Sequence, residues 1–70
     1  MRKDIIMRAM PVLDEEIKFC QEMAEEELAI YQLRGDEYHA EWAAKRQHKA
    51  NVLAELRDDL VAELDRQRHQ

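Results

Sequence analysis

Seventy residues, 46% of them hydrophobic and 39% charged, with one glycine and one proline, make a single domain at most and exclude disordered, collagenous and disulfide-stapled classes. The net charge of −5 repels phosphate backbones and so disfavours nonspecific nucleic-acid binding. No serine or threonine occurs and a lone glycine cannot build a phosphate loop, so most hydrolase and kinase chemistries lack their parts.

The charge is unevenly spread. Residues 1 to 9 carry +2, residues 10 to 35 carry −5 and residues 36 to 70 carry −2. Within the first stretch Ile6 and Met10 continue the angular line of Leu13 and Ile17, while Ile5 continues that of Val12. This continuity favours one helix running through Pro11 with a kink there, over a helix that starts at Pro11. If residues 1 to 10 do not pack, Met1, Ile5, Ile6, Met7 and Met10 form an adaptable, sticky arm.

From Val12 to Leu33 the apolar residues fill two adjacent stripes. One holds Met10, Leu13, Ile17, Cys20, Ala24, Leu28 and Tyr31, the other Val12, Phe19, Met23, Ile30 and Leu33. Together they exceed the narrow seam of a two-stranded coiled coil, and one partner helix cannot cover them. Cys20 has no second cysteine to pair with and lies in an apolar stripe, which predicts a buried thiol and fits a reducing cytoplasm. No apolar run reaches the ~20 residues of a membrane span, and Ile5-Ile6-Met7 is too short for a signal-peptide core, so a soluble, unexported, cytoplasmic protein is expected.

Leu33-Arg34-Gly35-Asp36-Glu37 interrupts the pattern. Gly35 suits the left-handed position past a helix end, and the Asp36 side chain is placed to accept an amide hydrogen bond from Tyr38 or His39 as the N-cap of a second helix. The Arg-Gly-Asp triplet is therefore explained by turn chemistry. The second helix runs from Glu37 to about Arg68, with Tyr38, Trp42, Leu53, Leu56, Leu60 and Leu64 on one stripe and Ala43, Ala50, Ala54 and Val61 on the other. Residues 65 to 70 lack apolar anchors and should fray.

The expected architecture is all-α: a single antiparallel helical hairpin over residues 1–70, turning at Gly35-Asp36. Two such hairpins associating into an antiparallel four-helix bundle would cover both stripes on every helix. Residues whose numbers sum to 73 are complementary in size across the hairpin, as with Leu13 and Leu60, Phe19 and Ala54, or Met23 and Ala50. The same register sets Glu16 against Arg57 and Glu27 against Arg46, which are expected as ion pairs that fix it.

Candidate sites are few. Glu41 and His48 share a helical face, but Ala44 stands where a further ligand would be wanted, and neither Glu-x-x-His nor His-x-x-x-His occurs, so no metal or cofactor is expected. Tyr31, Tyr38, Trp42 and Leu33 gather near the turn as candidate partner-binding residues, since Trp and Tyr are enriched at binding hot spots. Lys45, Arg46 and Lys49, one turn beyond Trp42, are the alternative: cations beside an aromatic can bind RNA, and the architecture resembles that of plasmid-type RNA modulators, which are dimers of helical hairpins. Small size, acidity and missing catalytic parts resemble short phage- or plasmid-encoded proteins that bind and modulate a host protein. The leading expectation is thus a non-enzymatic, homodimeric inhibitor, antagonist or adaptor of another protein, and the alternative is a nucleic-acid-associated regulator.

Overall fold

A computed structural model describes residues 2–69; Met1, expected in the N-terminal arm, and Gln70, at the expected frayed end, lie outside them. Two long helices, α1 (Lys3–Arg34) and α2 (Glu37–Arg68), pack side by side as an antiparallel hairpin. The pair forms a rod 54 Å long and about 14 Å across between Cα atoms.

The connection is as short as two helices allow. Gly35 closes α1 in the left-handed region (φ 70°, ψ 24°), and its N–H donates to the Tyr31 carbonyl at 2.6 Å. Nothing lies within 4 Å of where a Cβ would sit, so the need for glycine comes from the backbone angle alone. Asp36 is the N-cap residue of α2, but its side chain makes no capping bond. The expected carboxylate cap is replaced by a main-chain bond: the His39 N–H donates to the Asp36 carbonyl at 3.0 Å, which takes up one of the amides the side chain would have capped.

α1 is continuous through Pro11, and residues 3 to 10 dock rather than trail: Ile6 is wholly buried. At the other end α2 remains helical to Arg68.

The contact seam repeats by alternating steps of four and three, the spacing that keeps a stripe on one side of a gently supercoiled helix. On α1 it comprises Ile6, Met10, Leu13, Ile17, Cys20, Ala24, Glu27 and Tyr31, all buried or half-buried. On α2 it comprises His39, Ala43, Arg46, Ala50, Leu53, Arg57, Leu60, Leu64 and Gln67, again all buried or half-buried. Among the described residues the enclosed part is thin: Ile6, Cys20, Ala24, Ala43, Ala50 and Leu60, of which Ile6 and Cys20 alone are larger than alanine and free of all exposure. Three alanines at the seam let the helices approach closely, and the same small residues leave little apolar area to hold them together. The Cys20 thiol is buried as expected and points to Glu16 Oε1 at 3.7 Å.

Candidate functional site

The cross-helix polar contacts differ from those the register of 73 demanded. Lys49 Nζ donates to Glu16 Oε1 at 2.9 Å, Arg57 Nε donates to Asp14 Oδ1 at 2.5 Å, and His39 Nδ1–H donates to Glu27 Oε2. Arg46 lies over the rings of Phe19 and Trp42, 5.9 and 5.6 Å from their centres. Glu16 and Arg57, and Glu27 and Arg46, are therefore not the pairs that form. With Gly35 and Asp36 alone between the helices, residues equidistant from the centre of the turn have numbers that sum to 71 and not 73; Asp14 and Arg57 follow that register, while Glu27 with His39 and Glu16 with Lys49 sum to 66 and 65 because long side chains also reach along the seam. A two-residue offset is about half a helical turn, enough to carry a side chain off its expected line. Asp14 and Glu16 are separated by the same half turn, so their two ion pairs flank the seam on opposite sides.

These pairs shape the local charge. The Lys49 ammonium, by hydrogen bond and then by charge, holds the Glu16 carboxyl below its ordinary value, and Glu16 in turn raises Lys49. Asp14 likewise raises Arg57 by hydrogen bond and charge. The most enclosed pair is Glu27 with His39, whose side chains are 21% and 17% exposed. It joins the helices just beyond the turn. The signal that could have revealed it was positional, since both residues interrupt otherwise small or apolar seams, between Ala24 and Tyr31 and before Ala43.

The aromatic group expected near the turn is divided by the fold. Tyr31 sits half-buried in the seam, whereas Leu33 and Tyr38 are 87% and 61% exposed. Tyr38 meets Trp42 edge to face with ring centres 6.2 Å apart, and Lys45 Nζ lies 5.1 Å from the Trp42 ring centre. Trp42 is half-buried, and it is flanked by cations from its own helix. The three cations of the nucleic-acid alternative are thus all engaged within the chain: Lys45 on Trp42, Arg46 on Phe19 and Trp42, Lys49 on Glu16.

The larger feature is an apolar face. Among the described residues ten large hydrophobic side chains are exposed, and helical spacing puts seven of them on one side of the hairpin: Ile5, Val12, Phe19 and Leu33 from α1, with Tyr38, Val52 and Leu56 from α2. The four from α1 fall at intervals of seven or fourteen residues, with Glu26 at the intervening position. The contacts of Arg46 with Phe19 and of Lys49 with Glu16 show that these flanks of the two helices share a side. The opposite side carries the other three, Met7, Leu28 and Val61, and a shallow cleft there is lined by Ala24, Glu25, Leu28, Ala43 and Gln47.

The chain matches no protein-family model, no curated protein and no solved structure.

Three clefts among the described residues hold between 170 and 300 Å³, at or below the low end of ligand pockets. Among the described residues no three His, Cys, Asp or Glu side chains cluster as a metal site requires, and no helix is long and apolar enough to cross a membrane.

Proposed function

We propose that the chain is a small protein–protein interaction module, active as a homodimer, which modulates another protein as an inhibitor, antagonist or adaptor without catalysing a reaction itself. The observation that carries this reading is the concentration of seven exposed large apolar side chains on one side of a thin rod. Large apolar side chains gathered on one side, with charged residues between them, suit an interaction surface. The aromatic tip strengthens it, because Leu33, Tyr38 and Trp42 supply the bulky, low-entropy anchors that dominate interface energetics.

In the proposed assembly two hairpins form an antiparallel four-helix bundle, with α1 bent at Pro11, where the ring removes the helical bond to the Met7 carbonyl. Association would supply the apolar burial that the alanine-rich seam cannot. Sedimentation equilibrium on the purified chain tests the self-association: a dimer at tens of micromolar supports it, and a fully helical monomer refutes it. Capture of partners from a lysate, with and without nuclease, tests the client. A protein partner that persists after nuclease treatment supports the module, whereas recovery that disappears with the nucleic acid overturns it in favour of a nucleic-acid regulator.

A further inference from the structure

The exposed face has an internal order that points to its occupant. At 1.5 Å per residue, positions equidistant from the centre of the turn lie at the same height along the rod. Over the half of this face nearer the turn the equidistant positions are Leu33 and Tyr38, then Glu26 and Lys45, then Phe19 and Val52: apolar, charged, apolar; farther out Val12 stands level with Asp59 and Ile5 with Arg66. Within one chain these residues lie on different helices and point outward from the seam. Glu26 and Lys45 make no ion pair among the described residues; Lys45 has only the Trp42 ring.

We infer that a second copy of the chain covers this face, related by a two-fold axis parallel to the helices, so that both turns lie at one end and α1 of each copy runs along α2 of the other. Leu33 then meets Tyr38 of the partner subunit, Glu26 meets Lys45 of the partner subunit, and Phe19 meets Val52 of the partner subunit, each contact made twice by symmetry. The inference rests on the homodimer proposed above and assigns its face and orientation.

Two quantities favour a second copy and this orientation. At roughly 150 to 250 Å² for a large side chain, the exposed fractions of the seven apolar residues, 45 to 87%, amount to about 800 Å², the share each partner contributes to a standard stable interface. The charges select the orientation. Residues 10 to 35 carry −5 and residues 36 to 70 carry −2, so the same-end arrangement sets the more acidic helix beside the less acidic one and brings Glu26 level with Lys45, a cation with no carboxylate partner among the described residues. Turning the partner end for end would set the acidic α1 against its own copy. The assignment commits the aromatic tip to self-association.

Charge exchange tests it on the full chain. Glu26→Lys and Lys45→Glu, each at an exposed position, should weaken the dimer by on the order of tenfold to a hundredfold, because each sets like charges together twice. The double variant Glu26→Lys/Lys45→Glu should recover the wild-type dissociation constant to within about threefold. Circular dichroism at matched concentration establishes that each variant is helical. If the wild type dimerises but the single variants bind as it does, or the double variant stays as weak as the singles, the assigned face or orientation is wrong while the homodimer stands. If the wild type is a monomer, the homodimer itself fails, and this inference with it.

Discussion

Ile6→Ala is the most severe test of the packing, because Ile6 is one of two side chains larger than alanine that have no exposure among the described residues, and it lies in the segment before Pro11. The change removes three carbons. At about 0.8 kcal/mol per buried methylene the transfer term alone is about 2.4 kcal/mol, and a residual cavity adds to it. The site is near the open end of the hairpin and can partly collapse, which places the expected loss at about 2 to 3 kcal/mol, in the lower half of the range for Ile-to-Ala changes. For a domain of this size such a loss lowers the melting temperature by roughly 10 to 20 °C. Thermal and urea melts followed by circular dichroism, at one protein concentration so that association is held constant, give the number. Met7→Ala is the control: Met7 is the adjacent residue, 57% exposed, and its loss should cost less than about 0.5 kcal/mol. If Ile6→Ala is no worse than Met7→Ala, residues 3 to 10 do not dock in solution.

Gly35→Ala should destabilise by about 1 to 2 kcal/mol, because a Cβ meets no atom there yet the φ of 70° strains any L residue, and Gly35→Asn should cost less; equal melts for all three would refute a left-handed cap. Ala50→Leu, at a position 1% exposed in the seam, should cost about 1 to 3 kcal/mol by overpacking, and a raised melting midpoint would show that the helices are not in close approach there. The pH dependence follows from Glu16, whose carboxyl is held below its ordinary value of 4.5 by Lys49. A depressed native pKa contributes stability that is present above 4.5 and lost as the pH falls through the native value, so Glu16→Gln should flatten the acid limb of the stability profile, and an unchanged limb would refute the pairing. Lys49, raised above 10.5, works in the other sense: its contribution is present below 10.5 and lost as the pH climbs through the raised value, and the same variant should remove that alkaline loss.

The helices and the turn are legible because they rest on local physics. Gly35 stands alone between two long patterns, and its positive φ is the conformation for which glycine is favoured. The two apolar stripes of α1 are legible too, and the fold gives them different fates: Leu13, Ile17, Cys20 and Ala24 enter the seam, while Val12, Phe19 and Leu33 stay outside it. Leu28, read with the seam stripe, is exposed because the seam steps by 3.5 residues and passes through Glu27 instead. The ion pairs were not legible. Lys, Arg and Glu side chains reach over a full helical turn, so a shift of two residues in register changes every partner without changing which residues are apolar. Composition favours an aliphatic residue at the seam position that Arg46 occupies, and only the fold shows its guanidinium covering Phe19 and Trp42.

The hairpin topology also fixes how this molecule answers mechanical load. Its cross-helix partners are separated along the chain by 12 residues at Glu27 and His39, 33 at Glu16 and Lys49, and 43 at Asp14 and Arg57. Residues 3 and 68 border one cleft at the far end, so a pull on the two ends is directed across the seam and meets its contacts one after another. The rod therefore peels, with Ile6 and its neighbours yielding first and the Glu27–His39 clasp beside the turn last. Reclosure follows the reverse order, since each contact nearer the turn shortens the loop the next must close; without that help, closing a 43-residue loop costs about 1 kcal/mol more than closing one of 12. Tension applied between the turn and either end would instead load one helix along its axis and shear the whole seam at once.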